Sequence, residues 1–161
     1  MSMNLPFTNS DEHCETKNAI FKTFESRKTS LKFIAFVRWQ AQTRSRGIWN
    51  AGAICPNGHL VQSVNFVDDT NRYYCDVRDC RKLFSPVYGT LFEQSRVPLW
   101  KWFIFIILPR KTAMSGRTIA KLLKVSNKTG SKMKETLHKR ALVEKDFISK
   151  IYSGIYTAIN V

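Results

Sequence analysis

A chain of 161 residues bounds the protein to one or two domains, and an apolar content of 43% is enough for a packed core. Twenty-six Lys and Arg against 12 Asp and Glu leave +14 at neutral pH, a balance that attracts polyanions: nucleic acid, an anionic membrane or acidic proteins. Four cysteines without a leading secretory segment argue against a secreted disulfide scaffold and for an intracellular protein, nuclear if eukaryotic.

Residues 1–16 are polar and irregular and read as a disordered tail. Residues 17–50 read as a helical segment. Ile20, Phe21, Phe24, Leu31, Ile34, Ala35 and Val37 recur at spacings of three and four. One helix or two short ones fit, with Ser30 as N-cap of the second. "RSRGIWNAG" then reads as a turn-rich link.

Residues 51–95 change character. Short strand-like pieces (Leu60 to Val67, Arg72 to Cys75, Lys82 to Ser85, Val87 to Phe92) are separated by "DDTN" and "SP". Strands this short need a staple. Cys55-Pro-Asn-Gly-His59 and Cys75-Asp-Val-Arg-Asp-Cys80 are two tight turns, each with a ligand type at both ends, and fifteen residues lie between them. A tetrahedral Zn²⁺ site takes four such ligands, so Cys55, His59, Cys75 and Cys80 are the expected metal set. Cys14, next to His13, is the alternative fourth ligand. Without a metal, Cys75 and Cys80 would be small buried residues and His59 a turn cap.

Residues 96–141 read as three helices. Pro98 suits a first helical position. The apolar run from Leu99 to Leu108 is far short of the ~20 residues that cross a bilayer, so it reads as a buried helix and no membrane is expected. Ser115 and Ser126 are N-cap residues, and Val125 and Ser126 alone separate the last two helices, the layout of a helix-turn-helix. Residues 96–141 also hold twelve basic residues against one acid, Glu135, so most of the excess charge lies in this third of the chain. Residues 142–161 read as a tail, either another helix or the truncated start of a further domain. The fold class expected is α+β: a small zinc-ribbon hairpin unit flanked by an N-terminal helix and a C-terminal helix-turn-helix unit.

The order and spacing of residues from about Leu31 to Arg140 resemble the front end of Merlin-type DDE transposases and their bacterial insertion-sequence relatives. The matching positions are Cys55-Pro56, Tyr74-Cys75, Cys80-Arg81-Lys82, Phe84-Ser85, Gly89-Thr90, Phe92-Glu93, Ser95, Pro98-Leu99 and Trp102. "FVRWQ" resembles the helix end before the first metal turn, and "TIAKLLKVSNKTGSKM" resembles the helix-turn-helix. The chain differs from bacterial members in having His59 in place of the second cysteine of the first turn, and a second turn two residues longer. The resemblance implies recognition of transposon-end DNA and assembly as a homo-oligomer. It does not extend to the RNase H-like catalytic domain. Beyond Arg140 the carboxylates are Glu144 and Asp146, too few for a two-metal site, so no catalysis is expected from this chain alone. A domesticated transcriptional regulator and an RNA-binding zinc ribbon are the alternatives.

On a helix from Asn127, residues Gly130, Met133 and Leu137 share one side and face the core, with Gly130 admitting the preceding helix closely. Asn127, Lys128, Ser131 and Lys132 fall where a recognition helix reaches base edges of double-stranded DNA. Arg117, Lys121, Lys124, Lys134 and Arg140 read as phosphate contacts. Glu135 is expected to pair with Lys132 or Lys139. Trp100, Trp102, Phe103 and Phe105 are expected in the core.

Overall fold

The structure, a computed structural model, describes residues 10–39, 42–44, 47–63, 65–67, 70–108 and 113–160. Two helices open it, α1 (Ser10–Phe24) and α2 (Arg27–Trp39). Six short strands follow: β1 (Gln42–Arg44), β2 (Gly47–Ile54), β3 (Leu60–Ser63), β4 (Asn65–Val67), β5 (Arg72–Tyr74) and β6 (Leu83–Phe84). Four helices close it: α3 (Leu99–Ile107), α4 (Gly116–Leu123), α5 (Asn127–Arg140) and α6 (Lys145–Ile159). Helices and small antiparallel sheets thus occupy separate stretches of sequence, as an α+β chain requires.

The strands form two three-stranded antiparallel sheets, β1-β2-β3 and β4-β5-β6. Ile54 pairs with Leu60 across the first metal turn, and Tyr74 pairs with Leu83 across the second. The segment read as a turn-rich link is therefore mostly strand β2. Its Gly, Asn and Ala are weak strand formers, and pairing with β3 overrides them. The opposite happens at Val87 to Phe92, expected as a strand. Thr90, Leu91 and Phe92 are buried consecutively, which no alternating strand allows. The backbone there runs in tight turns, with Thr90 N donating to Val87 O and Glu93 N to Thr90 O.

Two apolar cores result. The larger is built around α3, whose Trp102 to Ile107 are all buried; Phe24, Leu31, Ile34, Phe92, Ile119, Met133, Leu137, Ile151 and Ile155 pack around it. Phe103 sits edge-on to Phe24 at 5.0 Å, and the Trp102 indole donates to Ser95 Oγ at 2.8 Å. The smaller core joins Ala35 and Trp39 to Ala53, Cys55, Val61, Tyr73, Cys75 and Phe84. Helix α2 serves both: Leu31, Ile34 and Val37 face the helical core, Ala35 and Trp39 the sheets.

Several boundaries differ from expectation. The chain is already helical from Ser10, so part of the stretch 1–16 read as a disordered tail belongs to α1. Ser30 is not an N-cap. It lies inside α2, is buried, and its hydroxyl donates to Phe24 O at 2.7 Å, which satisfies a carbonyl at the end of α1. The break falls earlier, where Thr29 N donates to Ser26 Oγ. Pro98 is the N-cap of α3 and Leu99 its first residue. Of the two alternatives for residues 142–161, the further helix is the one found: α6 buries Ile151 and Ile155 in the helical core. No helix among the described residues is long and apolar enough to cross a membrane.

Candidate metal centre and basic helix pair

The two metal turns come together between the sheets. In the first, Gly58 N donates to Cys55 O and Cys55 N to His59 O, and Gly58 adopts φ +83°, a conformation that glycine takes without penalty. In the second, Cys80 N and Arg81 N both donate to Val77 O, and Cys75 N to Lys82 O. Each turn aims the ligand atoms at its two ends inward.

Cys55, His59, Cys75 and Cys80 thereby place three Sγ atoms and one imidazole nitrogen within 4.8 Å of one another. Cys55 Sγ lies 3.9 Å from Cys80 Sγ and 3.5 Å from His59 Nδ1, and Cys75 Sγ lies 3.9 Å from His59 Nδ1. A tetrahedron of sulfurs about 2.3 Å from a central ion has edges of about 3.8 Å. The donor set, its separations and the burial of Cys55 and Cys75 fit a four-coordinate ion, so these residues could hold a metal. Cys14, the alternative ligand, is exposed on α1 and takes no part.

The local fields are unequal. Burial pushes the Cys75 thiol up to about 11. Cys80 is held down to about 6, first by the backbone N–H of Lys82, with His59 and Asn57 adding to it. Asn57 Nδ2 donates to Cys80 Sγ at 3.3 Å, and its Oδ1 accepts from Lys82 Nζ at 3.5 Å. Asn57 thus holds the Cys80 sulfur in place, as groups around a metal ligand do. Sequence reading passed over it as a turn residue, although its place inside the ligand turn was the available signal.

A second set of functional candidates lies on α4 and α5. Ser115 Oγ accepts from Thr118 N and Ser126 Oγ from Thr129 N, both at 3.1 Å, so each helix starts where its serine predicts. Lys124 forms a left-handed C-cap on α4, and its carbonyl accepts from Lys101 Nζ at 3.0 Å. A cation on that helix end suits the dipole. The two helices cross closely because Gly116 and Gly130 meet there: a Cβ on Gly130 would lie 2.3 Å from Gly116 O and 2.8 Å from Ala120 N.

Gly130, Met133 and Leu137 are buried as expected. Arg117, Lys121, Lys124, Asn127, Lys128, Ser131 and Lys132 are all exposed. Lys134 and Arg140 differ from them: both are half-buried beside the packed face, and Arg140 Nε lies 3.6 Å from Glu144 Oε2. Glu135 pairs with Lys139 at 2.6 Å, and that bond holds its carboxyl below the usual range. Trp102, Phe103 and Phe105 are core, and Trp100, half-buried, stands edge-on to Phe21 at 4.9 Å.

Arg38 and Glu144 were also not foreseen as partners. Arg38 Nη1 donates to Pro86 O at 2.9 Å and Tyr88 O at 2.6 Å, fastening α2 to the segment that leaves the ribbon. Glu144 Oε1 accepts from Leu91 N at 3.1 Å. Burial pushes the Glu144 carboxyl up, against the pull of that N–H, Arg140 and Arg38.

Comparison with known proteins places these features in a context. The chain is similar to an uncharacterised protein in the transposable element ISH50 of Halobacterium salinarum (strain ATCC 700922 / JCM 11081 / NRC-1), 29% identical over 110 residues. The match covers 67% of this chain but 33% of that relative, so the chain corresponds to about a third of the relative's length. No family model and no solved structure matches the chain.

Proposed function

We propose that this chain is the DNA-binding part of a transposase-related protein. In this reading Zn²⁺, held by Cys55, His59, Cys75 and Cys80, supplies a structural crosslink, and α4–α5 is a helix-turn-helix that docks on duplex DNA at element ends. The likeness to a transposable-element protein supports the class. The observation that carries the binding mode is the exposed basic face of α4 and α5 behind two serine caps, on which Glu135 is tied to Lys139.

The roles follow from placement. Asn127, Lys128, Ser131 and Lys132 occupy the first turns of α5 and reach base edges, where Asn suits adenine and Lys suits guanine. Arg117, Lys121 and Lys124 meet phosphates, which position the protein without reading sequence. A four-ligand centre leaves no open position for substrate, so its role is structural.

Salt titration of duplex binding tests the reading. Affinity falls steeply with salt, and Lys121→Ala weakens all sequences alike and lowers the salt slope by about one. Lys128→Ala changes which sequences are preferred. If both variants bind duplexes as the wild type does, the docking is wrong. Metal content of the purified chain, with and without Cys80→Ser, tests the crosslink independently.

A further inference from the structure

The ribbon carries a recess that the basic helices do not use. An open cleft of about 310 Å³ runs between the first metal turn, the β5–β6 edge and the segment leading to α3. Pro56, Arg72, Lys82, Leu83, Tyr88 and Glu93 are among the residues that line it. The volume is at the low end for ligand sites, on the order of 300–1,000 Å³. It suits one nucleotide and cannot take a duplex.

Its chemistry is mixed in a specific way. Tyr88 is 48% exposed and Leu83 40%, so an aromatic ring and an aliphatic side chain stand open to solvent. Arg72 and Lys82 are exposed cations that also line the cleft. Glu93 supplies a half-buried carboxylate, oriented because Gly89 N donates to its Oε2 at 3.0 Å. The Arg38 bond to Tyr88 O fixes the backbone that presents the tyrosine ring. Cations beside an exposed ring are how proteins hold unpaired nucleotides. The carboxylate decides among occupants: it repels an acidic peptide and accepts from a base bearing an exocyclic amino group, as in Glu pairing with cytosine N4.

We propose that this cleft holds one unpaired nucleotide of the bound DNA. Its phosphate lies between Arg72 and Lys82, its base stacks on Tyr88, and its amino group donates to Glu93. This rests on the reading of α4–α5 as a duplex-binding unit, and it adds a junction between double and single strands as the preferred substrate. Thymine, which lacks the amino group, is the disfavoured base.

Fluorescence anisotropy with the metal-loaded chain tests it. The probes are a blunt duplex, the same duplex with a short unpaired cytosine extension, one with a thymine extension, and the free cytosine strand. The cytosine extension tightens binding about tenfold over the blunt duplex, the gain expected from one stacked base, and the thymine extension does so less. Tyr88→Ala abolishes that gain and Glu93→Ala reduces it to the thymine level, and both leave blunt-duplex affinity and metal content unchanged, whereas Tyr88→Phe keeps it. Equal affinity for blunt and extended duplexes, a gain that survives Tyr88→Ala, or a cytosine preference that survives Glu93→Ala overturns the proposal. A blunt duplex that does not bind, beside a free strand whose binding depends on Tyr88, overturns the helix-docking reading and leaves the cleft standing.

Discussion

The helical body and the ribbon share helix α2 yet are held together by different forces. The helical body surrounds α3 with large apolar side chains from five other helices, and rings such as Phe24, Phe33 and Phe103 meet within 5.3 Å. The ribbon core, among the described residues, is eight side chains, and two of those are cysteines. Trp39, edge-on to Tyr73 and to Phe84 at 5.6 Å, supplies much of its apolar mass. Strands of two to eight residues are short for holding register by pairing alone. Sheets this small are the kind that a metal between the two turns would staple, whereas the helices bury a large apolar area.

Removing the proposed metal crosslink should break the two regions apart most visibly. Structural zinc sites contribute about 10–16 kcal/mol of apparent folding free energy. Chelation, or Cys75→Ala in the buried ligand, is expected to unfold the sheets and leave α1 and α3 to α6 folded. Near-ultraviolet circular dichroism from the Trp39 and Tyr73 environment would collapse while most far-ultraviolet helical signal stays. Simultaneous loss of both signals would mean that the two cores are one cooperative unit.

The converse experiment strikes the helical body. Phe103 is fully buried at the meeting point of α1, α2 and α3, so Phe103→Ala should cost about 3–5 kcal/mol. Its mark is a lower denaturant midpoint for the helical transition with metal stoichiometry retained. A smaller loss is expected at the α4–α5 crossing. Gly130→Ala drives a methyl group against backbone atoms of Gly116 and Ala120, which cannot yield as a flexible side chain would. Overpacking of this kind costs about 1–3 kcal/mol. It should also weaken duplex binding, because it spreads the two helices that present the basic face. Unchanged affinity with lowered stability would separate the crossing from DNA docking.

What was legible in the sequence tracks how local the cause is. The two Cys/His turns, the Ser115 and Ser126 caps and the buried stripe of α5 each depend on a few neighbouring residues; the caps and stripe stand where expected, and the turns bring Cys55, His59, Cys75 and Cys80 into one group. Causes that lie far along the chain were not legible. Strand β2 exists because β3 pairs with it; its own residues argue against it. Ser30 resembles a cap from its neighbours, but its partner is the carbonyl of Phe24 at the end of the previous helix. The apolar spacing of α6 was readable, whereas its docking beside α1, α2 and α3 was not, and so neither was the burial of Glu144.

Glu144 gives the smallest expected effect and the finest probe of how the two regions are joined. It connects the end of α5, through Arg140, to Leu91 N, while Arg38 fastens the neighbouring segment at Pro86 and Tyr88. Its carboxyl is raised because burial outweighs the Leu91 N–H and the two arginines. A raised carboxyl favours the protonated form in the folded state. Its contribution to stability is therefore present in acid and is lost as pH rises through the folded value. Glu144→Gln keeps an oxygen for Leu91 N and removes the titration. The melting temperature of wild type minus variant should accordingly fall as pH climbs from below the ordinary carboxylate range to neutrality. A difference that grows instead would mean that Arg38 and Arg140 prevail over desolvation, making this half-buried carboxylate an ionic tie between the segment at Leu91 and the end of α5.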